Sequence, residues 1–298
     1  MKLTTKIIIG IILSIFVITL LHIIIYSFTD RKYNRMNVSN NYISIPDGNK
    51  PCFDVKPYRV IIFSLDRTFD ESQYYYMFNN DNCGLFINPA PEKEKENTLV
   101  VPETLNNFIS TQIKWDTLIV KINFDELRKK YRIQDEEFEN NKRTTMRYGI
   151  VVSGLNLYLH SSNINIINNL DGLRTKIKNI ETDSIKIYSM GHVTIDSCKA
   201  ILINPVRGKD FTLTNSSAKI LNIDFDLIQG GWKEENNKIN IKNYTGSRDN
   251  HEMNIKQDIG CKDEVINWLP KNKDAKLNIR LNGDTAQLKV SWVNQGRQ

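Results

Sequence analysis

A chain of 298 residues that is 40% hydrophobic and 25% charged holds enough apolar material for a core, which excludes disorder throughout. Its net charge of +6 is spread along the chain, without the dense basic run interleaved with aromatics that a nucleic-acid surface needs. No nucleic-acid partner is expected, and a basic surface beside an anionic membrane accounts for the balance.

The first predicted element is a single N-terminal transmembrane helix over residues 7–28, following a flank of residues 1–6. The stretch has no formal charge with His22 neutral, and at 1.5 Å per residue it spans roughly 33 Å, the thickness of a hydrocarbon core. A cleaved signal peptide would have a shorter apolar run ending at small residues. Here Tyr26, Phe28, Asp30 and Arg31 follow instead, so an uncleaved anchor is expected. Lys2 and Lys6 precede the helix and Arg31, Lys32 and Arg35 follow it, so local charge does not set the orientation. The short flank favours the N-terminus in the cytoplasm and the rest exported, at a bacterial plasma membrane. His22 reads as an interfacial residue near Tyr26.

Residues 29–56 carry Pro46, Gly48 and Pro51 and read as a linker to a domain spanning 57–296. The cysteines are Cys52, Cys83, Cys198 and Cys261, with no C-x-x-C, which excludes a zinc ribbon or thioredoxin-type site. Cys52 and Cys83 both precede the regular region and are the expected disulfide pair; Cys198 reads as a small buried hydrophobe. Val60–Leu65 and Leu118–Asn123 are strand candidates, and residues 124–147 form a charged insertion, read as an exposed helix or long loop.

From Gly149 the pattern repeats. Stretches 155–167, 173–189, 192–204 and 211–227 each hold a short alternating strand, a small polar corner and a second alternating strand. The predicted corners are Ser161–Asn163, Thr182–Ser184, Asp196–Ser197 and Asn215–Ser217. Leu157, Ile177, Ile195 and Leu213 are read as equivalent first-strand positions, and Ile166, Ile187, Ile203 and Ile223 as equivalent second-strand positions. A period near 19 with two strands per unit fits coils of an all-β parallel solenoid, whose units bury their apolar rows only by stacking. A sandwich of antiparallel hairpins is the alternative. Alternation turns Leu155, Leu157, Leu159, Leu173, Thr175 and Ile177 inward. Residues 263–269 read as a short helix ended by Pro270, and the irregular C-terminal segments as a cap.

The order Thr98–Leu105, Phe108–Thr111 and Trp115–Val120 resembles the front of the auto-transporter adhesin head GIN domain family, with Val60–Leu65 as its opening strand. The repeats resemble that family's coils. The resemblance, over residues 58–293, implies a right-handed β-helix on a bacterial cell envelope. It assigns no molecular activity. This chain departs from the family in its Ser, Asn and Asp corners and its long insertion at 124–147.

No H-E-x-x-H, G-x-S-x-G, P-loop or G-x-G-x-x-G motif occurs, and His160 and His192 read as exposed corner residues. No cofactor, metal or catalytic residue is expected. The expected function is a non-enzymatic, membrane-anchored envelope β-solenoid offering its exposed strands, with Tyr158, Lys176, Lys178, Lys186 and Tyr188, to an envelope protein or glycan. The alternative is a polysaccharide-active β-helix enzyme with an acidic face of Asp196, Asp224 and Asp226 beside Arg207 and Lys209.

Overall fold

The computed structural model describes residues 42–46, 48, 50, 52–66, 74–79, 82–92, 94–131, 148–257, 265–283 and 289–291, together with Thr19. The expected anchor at 7–28, Thr19 apart, lies outside them, as do most of the 124–147 insertion and Cys261. No helix among the described residues is long and apolar enough to cross a membrane. The chain forms two compact units, one of Met1–Asn41, Asp70–Tyr76 and Asp135–Ile150, the other of Tyr42–Phe69, Met77–Gln134 and Val151–Gln298. The described part of the first unit is Thr19 and the strand segments 74–76 and 148–150; both large sheets belong to the second.

The strands open with β1 (Tyr42–Ser44), β2 (Cys52–Asp54), β3 (Val60–Asp66), β4 (Tyr74–Phe78), β5 (Gly84–Asn88) and β6 (Thr98–Val100). Then come β7 (Ile109–Lys114), β8 (Thr117–Asn123), helix α1 (Phe124–Lys130), β9 (Tyr148–Ser153), β10 (Asn156–His160) and β11 (Ile166–Asn169). The repeats supply β12 (Arg174–Lys178), β13 (Glu181–Ser189), β14 (Val193–Asp196), β15 (Lys199–Arg207), β16 (Phe211–Thr214) and β17 (Ser217–Asp224). The last six are β18 (Trp232–Glu235), β19 (Lys238–Gly246), β20 (His251–Gln257), β21 (Val265–Pro270), β22 (Leu277–Gly283) and β23 (Lys289–Ser291).

The fold is all-β. Two ten-stranded sheets run β2-β6-β10-β5-β12-β14-β16-β18-β20-β22 (sheet 1) and β23-β21-β19-β17-β15-β13-β11-β3-β8-β7 (sheet 2). From β11 on the chain visits the sheets in turn, and each strand pairs in parallel with the strand two places later. Parallel strands need a crossover, and here the other sheet supplies it, so the antiparallel sandwich is not what forms. The order breaks once in each sheet: β5 lies between β10 and β12, and β3 between β8 and β11, so the earlier chain is intercalated into both ladders.

Inward columns follow from register. In sheet 1 Ile177, Ile195, Leu213, Glu234 and Ile255 stand in line; in sheet 2 the line is Ile185, Ile203, Leu221, Lys242 and Ile266. Leu155, Leu157, Leu159, Leu173, Thr175 and Ile177 are buried as the alternation predicts. Of the expected equivalences, only Ile177, Ile195 and Leu213 align. Leu157 is separated from the Ile177 column by β5 and aligns with Leu85. In the second strands Ile167, not Ile166, pairs with Ile187, Ile185 with Ile203, and Ile203 with Leu221 rather than Ile223. On the outer side of sheet 2 the Asn243 amide donates to Asn222 at 2.9 Å and that of Asn267 to Asn243 at 2.8 Å, an asparagine ladder that clamps neighbouring strands.

The corner between the sheets is built alike in each repeat. Asn179, Ser197, Asn215 and Asn236 take φ of 56°, 55°, 50° and 53°, the left-handed region that asparagine tolerates best after glycine. The next residue (Ile180, Cys198, Ser216, Asn237) turns inward and is buried. Three of the predicted corners, at Ser161–Asn163, Ser197 and Asn215, lie between strands of the two sheets. Thr182–Ser184 instead lies within β13, and the corner at Asn236 is hidden in the sequence because Glu234 disturbs the apolar alternation before it.

Other readings are corrected. Residues 29–56 contain β1 and β2, so they are not wholly a linker. The segment at 263–269 enters β21 rather than a helix, since parallel pairing with β19 outweighs its weak helical pattern. The C-terminal segments extend the ladders; antiparallel strands (β2, β6 and β7) stand at the opposite edges instead. Within the insertion, α1 is capped by Asn123, whose side chain accepts from the Glu126 N–H at 3.1 Å.

The Cys52–Cys83 disulfide does not fit this register. Cys52 is level with Val100, Tyr158 and Phe86 on successive strands. Three inter-strand steps put it roughly 14 Å from the strand that Cys83 precedes, where a bridge needs Cα atoms within about 7 Å. Cys83 is a free, buried thiol whose Sγ donates to the Val152 carbonyl at 3.1 Å, and burial pushes its pKa up. Cys198 is also free and buried, and burial holds its thiol up at about 11.

Candidate functional site

The acidic face does not assemble. Asp196 ends β14 at the inter-sheet corner, where it accepts from Thr214 Oγ1 at 3.1 Å and Asn215 Nδ2 at 3.0 Å and faces Lys178 at 3.5 Å. Partial burial raises its pKa, but hydrogen bonds from Asn215, Ser197 and Thr214 outweigh this and hold the carboxyl below the usual range. Asp224 lies at the far end of β17, roughly 20 Å along the strand. Arg207 ends the neighbouring β15 but donates to the Tyr188 hydroxyl at 3.0 Å and stacks over that ring.

Asp224 and Asp226 do come together, around Lys271. The ammonium sits 2.7 Å from both Asp224 oxygens and 2.9 Å from Asp226 Oδ2, while Ser247 N–H and Oγ donate to Asp226 Oδ1 at 3.0 and 2.9 Å. His251 packs flat on Phe225 and stands 3.5 Å from Asp226. Burial lowers the His251 pKa and outweighs the pull of Asp226. The cluster ties three repeats at one corner, and every carboxylate oxygen in it is engaged. Burial pushes Asp226 up, but the bonds from Lys271 and Ser247 dominate and bring it to about 2. A carboxyl lowered on folding contributes stability that is complete above about pH 4 and is lost as pH falls towards about 2. The D226N variant is expected to show a flatter loss of unfolding midpoint than the parent between those pH values, read by circular dichroism.

No group of His, Cys, Asp and Glu side chains among the described residues could hold a metal ion. His160 is 6% exposed rather than an exposed corner residue, with Nδ1 2.8 Å from Glu94; His192 faces Asp210 at 2.8 Å. Tyr158 is half-buried, stacked on Phe86 at 5.0 Å, with the Lys50 ammonium 4.8 Å from its ring centroid.

A groove along sheet 2 leaves no mark in the periodicity. The first residues of β13, β15, β17 and β19, where the register skips a position between Ala200 and Leu202 and between Ala218 and Ile220, line an open groove of about 510 Å³. Its floor is the register column Thr182, Ala200 and Ala218, and its sides carry Glu181, Lys199, Lys219 and Lys238. Lys199 pairs with Glu181 at 2.7 Å. The small residues at 182, 200 and 218 are the available signal, since a bulky chain there would fill the groove.

No protein-family model matches the chain, and no characterised protein matches it by sequence. The resemblance to the GIN domain family therefore gains no family match. Solved structures are similar at low identity. A candidate adhesin from Parabacteroides distasonis aligns at 10% identity and a TM-score of 0.31, over 85% of this chain and 100% of that one. A candidate adhesin from Parabacteroides merdae does so at 9% and 0.34, over 85% and 100%. A candidate lipid-binding protein from Parabacteroides distasonis does so at 8% and 0.35, over 85% and 100%.

Proposed function

We propose that this chain is a single-pass, membrane-anchored protein of the bacterial cell envelope whose repeats form a right-handed parallel β-solenoid on the extracytoplasmic side. It acts as a contact surface for an envelope protein or glycan rather than as a catalyst. The observation that carries this reading is the parallel register, which puts equivalent side chains of consecutive repeats in line. A surface of that kind offers the same contact at each step, about 4.8 Å apart, and suits an extended partner laid along it. The groove of sheet 2 and the asparagine ladder are two such lines. The uncharged stretch at 7–28 supplies the attachment.

Membrane fractionation with alkaline carbonate extraction tests the attachment. The full chain is expected in the carbonate-resistant pellet, and a version lacking residues 1–28 in the supernatant. Release of the full chain by carbonate would rule out the anchor.

A further inference from the structure

Strands β7 and β8 form a hairpin whose two turn residues are Trp115 and Asp116, between the paired Lys114 and Thr117. Trp115 has φ of 61°, a conformation that hairpin turns ordinarily give to glycine or asparagine. For a bulky side chain this is a costly backbone state, and such outliers gather at ligand clamps. Its indole is 90% exposed, so the residue gains nothing from burial. The turn is nonetheless held firmly, because the Asp116 carbonyl accepts the N–H groups of Arg59 at 2.8 Å and Val60 at 3.1 Å.

Beside the turn lies a polar pocket of about 490 Å³ lined by Tyr58, Arg59, Glu96, Asp116, Ser161 and Asn163 among others. Tyr58 and Ser161 are 3% and 1% exposed, and their hydroxyls are buried against each other in the pocket wall. Glu96 is fixed in place, one oxygen accepting the Ala90 N–H at 2.8 Å and the other the Ser162 N–H at 2.9 Å. Asn97, also at the pocket, is a second non-glycine residue with left-handed φ, 59°.

A solvent-facing indole on a firmly held turn, next to the Glu96 and Asp116 carboxylates and the Asn97 and Asn163 amides, combines an apolar stacking face with donors and acceptors. That is the chemistry a sugar ring requires: C–H groups on its face, hydroxyls on its rim. We infer that the Trp115 turn and the adjoining pocket form a binding site for a neutral or amino saccharide unit, the indole stacking on the ring and Glu96 and Asp116 meeting its hydroxyls. The two carboxylates oppose an anionic lipid headgroup, which sets the sugar above insertion of Trp115 into a membrane surface. This site rests on the reading of the chain as an envelope contact protein and names the partner's chemistry.

The test uses the full chain in phosphatidylcholine nanodiscs. It is probed with an array of neutral, amino and acidic oligosaccharides and then titrated by tryptophan fluorescence with those retained. Binding of neutral or amino oligosaccharides is expected, weakened about tenfold or more in W115A, less in W115F, and reduced in E96Q. The unfolding midpoint of W115A stays at the parent value, because the indole is almost wholly in solvent. The inference is overturned if no oligosaccharide on the array binds, or if W115A binds like the parent. It is equally overturned if Trp115 serves only binding to phosphatidylglycerol vesicles. Loss of binding with carbonate-resistant attachment intact would sink this site alone; binding by a protein extracted by carbonate would sink the anchor alone.

Discussion

Replacing Lys242 by methionine is expected to lower folding stability by about 3–5 kcal/mol, the penalty for leaving a buried charge without its partner. Lys242 Nζ lies 2.9 Å from Glu234 Oε2, and both side chains are 0% exposed. They occupy facing positions of two inward columns that are otherwise Ile and Leu, one in β18 and the other in β19. The Glu234 Oε1 atom also accepts from Trp232 Nε1 at 2.7 Å and from the Tyr244 hydroxyl at 2.6 Å. Removing the ammonium alone leaves this carboxylate in an apolar interior. The K242M/E234Q double variant recovers most of the loss, because a glutamine oxygen still accepts from Trp232 and Tyr244 while carrying no charge. Denaturant unfolding of the three proteins measures this, with unchanged slopes showing that only stability has moved. A loss below about 1 kcal/mol in K242M would mean that water reaches the pair.

The second large effect is expected at Asn237. Its Oδ1 accepts the Ser216 N–H at 3.0 Å and its Nδ2 donates to the Leu213 carbonyl at 2.8 Å, with the side chain fully buried. The chain continues through Ser216, whose Oγ accepts the Cys198 N–H at 3.1 Å. Three successive corners are thus linked. Leucine at 237 keeps the volume but orphans a buried N–H and a buried C=O, each costing about 1–3 kcal/mol. N237L should therefore lower stability by about 2–5 kcal/mol. A loss below about 1 kcal/mol would show that packing and not the hydrogen bonds matters at this corner.

These two places also show where the sequence is readable. Regular alternation of Leu, Ile and small polar residues locates the strands and their inward faces, because a parallel ladder imposes a period of two on each strand. It fails where one polar residue stands inside: Glu234 and Lys242 look like outward residues, so their strands seem irregular and their corner is missed. The intercalation of β5 between β10 and β12 leaves no local trace, since register with distant strands is a tertiary choice. For the same reason proximity in sequence to the regular region misleads the cysteine pairing. The candidate acids are named from chemistry alone. The fold brings Asp224 and Asp226 onto Lys271 and leaves Asp196 at the other end of the strand. Trp115 stands in plain view, but an exposed aromatic and a buried one are alike in sequence until the turn is known.

Protease accessibility on intact cells and spheroplasts of the host tests the central claim most directly. With the anchor at 7–28 and the repeats outside the plasma membrane, protease added to spheroplasts is expected to remove or trim the region beyond residue 28 while cytoplasmic markers survive. Protection of that region in spheroplasts, with digestion only after the plasma membrane is opened, would place the repeats in the cytoplasm and contradict the proposed topology.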